Sequence, residues 1–202
     1  KEVRDTINKL RAKNLDDDSF IKKFSDIFKE NKMESISEGT FFSSILFISA
    51  LDETNKIETF LEKFENAESP QMQGRYRAVL GQVRDQNASK KIVEFMLDGR
   101  IRGADCPYIL ASMITNKYIG KKSWKVIKEN FNDLLNVMPD WTASRILDAL
   151  PAIYDEEFAG DIKNFIKKNP LPSSEKLAAQ KLERLEANIE FMDNLKEVNN
   201  ET

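Results

Sequence analysis

The chain of 202 residues contains no histidine and a single cysteine, Cys106. Without an imidazole, neither a Ser-His nor a Cys-His nucleophile pair can form, and the usual zinc sites that include histidine are excluded. One cysteine builds neither a thiolate cage nor an internal disulfide framework, and it is compatible with a reducing compartment. The sequence therefore offers few of the groups that catalysis requires.

Glycine, proline and long apolar runs are also scarce. The chain has 7 Gly and 6 Pro, which argues against a turn-rich β protein and against a disordered linker. No apolar run approaches the roughly 20 residues that span a bilayer. The net charge is −3, and acidic and basic residues are interleaved. We therefore expect a soluble cytoplasmic protein without a nucleic-acid or membrane partner.

Apolar residues recur at helical spacings along nearly the whole chain. Ile57, Phe60, Leu61 and Phe64 form one such stripe, and Phe41 to Leu51 is apolar nearly all round, as expected of a buried helix. A helix is predicted to begin at Ser69-Pro70, with Ser69 as its cap. A long helix is predicted from Trp124 to Met138, a shorter one with Ile146, Leu147 and Leu150 on one face, and a final one after Ser173 or Ser174. No segment alternates with period two. The sequence predicts an all-α fold of about ten or eleven helices.

The predicted helices follow one another roughly every 15 to 22 residues. Helix pairs therefore recur about every 40 residues, which is the repeat length of HEAT-like arrays. We expect a single domain over residues 1–202, with antiparallel pairs stacked into a curved superhelix; a compact bundle is the alternative. The segment from Lys1 to Arg11 already has helical periodicity, and the chain does not begin with Met. We therefore expect a piece of a longer polypeptide.

Several residues with chemical potential have a simpler structural interpretation. The acidic clusters Asp16-Asp17-Asp18 and Glu156-Glu157 lie at predicted helix starts, where the helix dipole favours them. Asp105 is predicted to cap a helix by accepting backbone N–H groups. Cys106 is next to that helix start but has no histidine partner, so a packed thiol is expected. Trp124 is expected to anchor the core between helices.

The densest local group of basic residues consists of Arg100, Arg102, Lys121 and Lys122, on or next to the loops that bound the helix after Asp105. One interpretation is a solvated rim. The other is that these cations face a cavity and attract the carboxylate of a peptide. Arg102 has a third option, because it can pair with Asp105 and fix the start of the helix.

Four segments occur in an order that resembles a known family. They are Ile101-Arg102-Gly103-Ala104-Asp105, the turn from Asn116 to Gly120, the Trp-led helix from Trp124 to Phe131, and Lys181 to Phe191. Together they resemble the C-terminal helical domain of zinc aminopeptidases of the aminopeptidase N type. Upstream, the segment from Tyr76 to Gly81 with Arg84-Asp85 is similar to a family segment that ends in a charged turn, so the resemblance is carried by residues 70–198. Within the family, the chain is most similar to the archaeal tricorn-interacting aminopeptidase factors.

The resemblance implies a HEAT-like domain without catalytic or metal-binding residues of its own, because the zinc motif of the family belongs to an earlier domain. Zinc is then the cofactor of the parent enzyme. The implied partners are the catalytic domain of the same polypeptide and a peptide substrate. The domain closes over the catalytic domain and limits which peptides reach the zinc. Arg102, then Arg100, then Lys91 are the cations expected to contact the C-terminal side of the peptide.

A different class of function also suits the helical rhythm. A free-standing helical-repeat scaffold would bind a protein partner on its concave face, because fold alone does not determine function. The two hypotheses differ in what precedes Lys1 in the reading frame. A His-Glu-x-x-His segment a few hundred residues upstream is predicted by the aminopeptidase hypothesis alone.

Overall fold

The computed structural model of the chain describes residues 18–30, 39–172 and 174–200. This part consists of helices joined by turns and loops. Its described residues form eleven α-helices and one 3-10 helix, without a strand. The all-α fold and the expected number of helices are therefore confirmed. The predicted helix at Lys1 to Arg11 lies outside the described residues, as do Asp16 and Asp17.

The chain divides into two compact units between Lys91 and Ile92. The described helices of the first unit are α1 (Asp18–Lys29), α2 (Gly39–Leu51), α3 (Ile57–Glu65), α4 (Pro70–Leu80) and the first residues of α5 (Ala88–Leu97). The start of α4 is predicted from the sequence and confirmed: the Ser69 hydroxyl accepts a hydrogen bond from the backbone N–H of Met72 at 3.2 Å, with Pro70 at the first helical position.

Aromatic rings fill the core of the first unit, and a buried polar network fixes its loops. Phe28 stacks on Phe60 with ring centroids 4.6 Å apart. The buried amide of Asn55 donates to the Ser25 hydroxyl at 2.7 Å and to the Ser49 carbonyl at 2.9 Å. Because a buried polar group that lacks a partner costs free energy, this network holds the α2–α3 loop in one arrangement against α1.

The second unit contains the rest of the helices. They are the remainder of α5, then α6 (Cys106–Ile114), α7 (Gly120–Glu129), α8 (Phe131–Val137), α9 (Asp140–Ala143), the 3-10 helix (Ser144–Ala152), α10 (Glu156–Lys168) and α11 (Glu175–Asn200). The half-buried ring of Phe165 joins two aromatic residues of its core. Trp124 and Phe131 meet this ring edge-on, with centroid distances of 5.2 and 5.0 Å.

Two helix predictions in the second unit are wrong. The long helix from Trp124 to Met138 is broken at Asn130, whose side-chain amide donates to the Val126 carbonyl at 2.8 Å while its backbone leaves the helical region. Asparagine side chains compete with backbone groups in this way, and the competition favours a helix end. The apolar stripe from Ile146 to Leu150 belongs to the 3-10 helix rather than an α-helix, and Pro151 lies inside its last turn.

None of the helices in the described ranges is long and apolar enough to cross a membrane. The arrangement as one domain over residues 1–202, stacked into a curved superhelix, stays a prediction.

Candidate functional site

The two arginines with the strongest sequence signal lie on one tight loop, residues 98–105, which we call the arginine loop. Helix α5 ends before it, and Gly99 adopts a left-handed backbone with φ of 74°. Glycine adopts this conformation without the penalty that a Cβ atom imposes. The backbone N–H groups of Arg100 and Ile101 both donate to the Phe95 carbonyl, at 3.0 and 3.2 Å. The chain therefore leaves α5 along a defined path.

Packing on both sides of the arginines fixes the rest of the loop. Ile101 is buried, and its neighbours Arg100 and Arg102 are exposed. Gly103 contacts the backbone of α8 so closely that a Cβ atom there would overlap the Val137 carbonyl oxygen. One side chain anchored in the core and one backbone-to-backbone contact thus hold the two arginines on the surface.

Each arginine has a specific neighbour within the second unit. The guanidinium carbon of Arg100 lies 3.5 Å from the ring centroid of Phe95, a cation–π contact. Arg102 uses both Nε and Nη2, each 2.9 Å from Oδ2 of Asp105. The Arg102 side chain is nevertheless 76% exposed. Since exposed ion pairs contribute only about 0–1 kcal/mol, a ligand carboxylate can compete for this guanidinium.

The predicted capping hydrogen bond of Asp105 is wrong. Asp105 precedes α6 as expected, but its backbone is already in the helical region and its side chain accepts no capping hydrogen bond. A capping side chain normally needs an extended backbone at this position. The Asp105 carboxylate instead pairs with Arg102, in a contact in which both partners are charged. The residue keeps a structural role, as an anchor of the arginine loop.

Cys106 is a packed thiol, as predicted. It is fully buried, and its Sγ lies 3.5 Å from the Arg102 carbonyl oxygen. Burial, followed by the charge of Asp105, raises the pKa of the Cys106 thiol to about 12. A buried, neutral thiol of this kind fits a packing role.

The residues that the structure describes do not fit a zinc ion. Among the described residues, no group of three or more Cys, Asp or Glu side chains is arranged to hold a metal, and the sequence has no histidine to add to one. Zinc sites in proteins are built mainly from histidine, thiolate and carboxylate ligands. We therefore derive no metal-dependent step for this chain.

Comparison with protein families gives a match that extends over nearly the whole chain. The family is described as the ERAP1-like C-terminal domain, and it matches residues 2–187. The chain belongs to this family. The family is the C-terminal domain of ERAP1-like aminopeptidases, so the resemblance to the aminopeptidase N type is confirmed. The match covers the arginine loop and also includes residues 2–69, which precede the segments that carried the resemblance.

The other predicted cations of this ERAP1-like domain lie on helices rather than on the arginine loop. Lys121 and Lys122 are exposed in the first turn of α7, and Lys121 Nζ lies 2.7 Å from Oδ2 of Asp155. The hydrogen bond to Asp155 raises the pKa of Lys121. Lys91 is half-buried on α5 and belongs to the first unit. Arg100 and Arg102 are therefore the two predicted cations that share one short loop.

Trp124 anchors the core of the ERAP1-like domain, as predicted. It is 2% exposed, and its Nε1 donates to Oδ2 of Asp161 at 2.9 Å. The same carboxylate oxygen accepts a hydrogen bond from Lys128 Nζ at 2.6 Å. The role of Asp161 could not be predicted from the sequence, because this residue lies on α10, 37 positions along the chain from Trp124.

Trp141 is absent from the sequence predictions, and it lies two residues after Pro139, which is close to the arginine loop. A Cβ atom at Gly103 would lie 3.4 Å from Cδ of Pro139, and Trp141 follows two residues later on α9. Trp141 is 76% exposed. The sequence contained one signal for this residue: Trp141 lies outside every apolar stripe. A large aromatic side chain outside such a stripe is not expected in a helix core.

Proposed function

We propose that this chain is the non-catalytic C-terminal domain of a zinc aminopeptidase, which removes N-terminal residues from peptides. The observation that carries the proposal is membership of the ERAP1-like C-terminal domain family over residues 2–187. In the proposal, zinc and the catalytic residues belong to the catalytic domain of the same polypeptide. The proposal includes a cytoplasmic location, which the single free cysteine, Cys106, permits.

In the proposed enzyme this domain closes over the catalytic domain and walls the substrate cavity. The N-terminus of the peptide would lie at the zinc, and the rest of the peptide would extend along this domain. Closure of this kind excludes water from the reaction and limits which substrates enter. The domain would then contribute to catalysis through binding and orientation rather than through proton transfer.

The arginine loop is the proposed contact for the C-terminal carboxylate of the peptide. Arg102 and, secondly, Arg100 support this role, because both are exposed on a loop that Ile101 and Gly103 fix in place. A guanidinium binds a carboxylate with two parallel hydrogen bonds, which gives orientation as well as affinity. Lys91 ranks third among the candidates, because it is half-buried on α5.

The proposal is tested by separating this chain from the chemistry. We expect the purified 202-residue chain to bind no zinc and to release no amino acid from an aminoacyl amide substrate. The polypeptide that joins the chain to the sequence encoded upstream of Lys1 should contain zinc and cleave the same substrate. Hydrolysis by the isolated chain, or an upstream sequence without a peptidase domain, would contradict the proposal. The second outcome would favour a free-standing scaffold.

A further inference from the structure

The first unit contains a small cleft that the proposed function does not use. It lies between α1, the α2–α3 loop and the turn after α4, and its volume is about 310 Å³. We call it the charged cleft. The described residues that line it are Ile21, Lys22, Lys29, Leu51, Asp52, Glu53, Thr54 and Arg84. A volume of this size is at the small end of ligand sites, which begin at about 300 Å³.

Hydrogen bonds fix the backbone that forms the charged cleft. The backbone N–H of Arg84 donates to the Ala50 carbonyl at 2.8 Å, which joins the turn after α4 to the end of α2. Asp52 Oδ1 accepts hydrogen bonds from the backbone N–H of Thr54 at 2.9 Å and from its hydroxyl at 2.7 Å. The walls are therefore set before any ligand arrives, which lowers the entropic cost of binding.

Side chains of both charges line the cleft, and they form ion pairs. Lys29 Nζ lies 2.8 Å from the Thr54 hydroxyl and 3.5 Å from Oδ2 of Asp52. Arg84 Nη2 lies 3.3 Å from Oε2 of Glu53. With the exposed Lys22, the described lining has three cations and two carboxylates. A lining of one sign selects a simple ion, whereas this mixture suits a ligand that carries both charges.

The ion pair between Arg84 and Glu53 is able to exchange for a ligand. The Glu53 side chain is 68% exposed, and exposed pairs of this kind contribute little to stability. Asp52 is less able to exchange its partners for a ligand, because both of its carboxylate oxygens already accept hydrogen bonds, from Thr54 and from Lys29. Ile21 and Leu51, both half-buried, add an apolar surface beside the charges. The cleft therefore offers a cationic, an anionic and an aliphatic contact within one small volume.

We propose that the charged cleft binds a free amino acid or dipeptide with an aliphatic side chain. Arg84 and Lys22 take the carboxylate, Glu53 takes the ammonium group, and Ile21 and Leu51 contact the side chain. Asp52 positions the α2–α3 loop. Such molecules are products of an aminopeptidase, and this link to the reaction rests on the proposed function. The binding itself does not.

Calorimetric titration of the 202-residue chain tests the proposal with four probes: L-leucine, the dipeptide Leu-Leu, N-acetyl-leucine and leucinamide. We expect leucine, the dipeptide or both to bind, and the tighter of the two identifies the occupant. N-acetyl-leucine lacks the ammonium group and leucinamide lacks the carboxylate. The affinity of each should therefore be lower than that of leucine by about tenfold or by a larger factor. Equal binding of leucine and N-acetyl-leucine, or no binding of any probe, would overturn the proposal.

Site variants assign the binding to the charged cleft. Arg84→Gln and Glu53→Gln should each weaken binding of the tighter probe about tenfold, because each removes one charge that the zwitterion needs. Arg145→Gln, which removes another exposed arginine, should leave binding unchanged. Circular dichroism establishes that the variants fold, and the exposed Glu53 is the variant least able to disturb folding. Full affinity in both cleft variants would overturn the assignment. This result would leave the expected hydrolysis by the longer polypeptide unaffected.

Discussion

Single residues of the arginine loop show how a cation is held in place while it stays exposed. Arg102 and Arg145 both pair with an aspartate three residues later, and both are largely exposed. Arg102 makes two contacts of 2.9 Å with Asp105, whereas the Arg145–Asp148 separation is 3.8 Å. Arg145 is therefore a matched control for Arg102: it has the same residue type and the same pairing pattern, outside the arginine loop.

The acid end of the stability curve depends on Asp52. Burial alone raises its pKa, but hydrogen bonds from Ser25 and Thr54 and the charge of Lys29 outweigh burial and lower the pKa from 3.8 to about 2. A lowered folded-state pKa stabilises the fold above pH 3.8, and this contribution is lost as the pH falls towards 2. We expect a loss on the order of 1–2 kcal/mol in this window, since partial exposure reduces the effect.

Urea unfolding at about pH 5 and about pH 2 measures this contribution. The Asp52→Asn variant should be less stable than the natural chain at the higher pH and should approach it at the lower pH. Parallel loss of stability in the two proteins would show that Asp52 does not carry the effect.

The Trp124–Asp161 contact is the second prediction for single residues. Asp161→Asn removes the charge that one oxygen presents to both Trp124 Nε1 and Lys128 Nζ. The free energy of unfolding should fall by about 1–2 kcal/mol, because hydrogen bonds to charged groups are stronger than neutral ones. Unfolding is followed by tryptophan fluorescence in a Trp141→Phe background, so that buried Trp124 alone reports.

Asp148→Asn is the control for this substitution. Asp148 forms ion pairs with Lys181 and Arg145 near the surface, whereas the indole N–H of Trp124 donates to Asp161. The control substitution should cost less than about 1 kcal/mol. Equal losses in the two variants would mean that the indole contact adds nothing to an ordinary surface pair.

Helices and loops depend on packing that only the folded chain provides. The apolar stripes and the Ser69-Pro70 start are local signals, so periodicity and capping chemistry predict them from the sequence. The break at Asn130 and the 3-10 turn at Ser144–Ala152 interrupt continuous stripes, and periodicity does not reveal such interruptions. The path of the arginine loop depends on Gly103 meeting the Val137 carbonyl, a contact between distant segments. The sequence predicts Arg100 and Arg102 as candidate contacts, but it does not reveal what holds them in place.

Glycine substitutions test this contact between elements. Gly103→Ala should destabilise the chain by about 1–3 kcal/mol, because the new methyl group overlaps the backbone of α8 and must displace one of the two segments. Gly74→Ala is the matched control. It lies inside α4 with open space around it, so alanine should stabilise the helix by about 0.5–1 kcal/mol. Thermal unfolding of both variants provides the comparison. A Gly103→Ala variant as stable as the natural chain would contradict the close contact.

At the scale of the whole molecule, the chain belongs to a family of aminopeptidase C-terminal domains, and its sequence has no histidine and one cysteine. Both facts support the proposal that the chemistry belongs to another domain of a longer polypeptide. The proposed role of this domain is to contact peptides without reacting with them. Substrate binding far from the reacting bond raises the rate through orientation, so loss of such a contact lowers kcat/KM for long substrates selectively.

The central claim is tested most directly by kcat/KM for three substrates of the longer polypeptide: a peptide with a free carboxylate, the same peptide as a C-terminal amide, and an aminoacyl amide. Replacing Arg100 and Arg102 together by Gln should lower kcat/KM for the free peptide roughly 10- to 100-fold, which corresponds to the loss of charge-assisted hydrogen bonds. The amidated peptide should change much less and the aminoacyl amide hardly at all, and Arg145→Gln should affect none of them. Unchanged cleavage of the free peptide by the double variant, or an equal loss for all three substrates, would contradict the account.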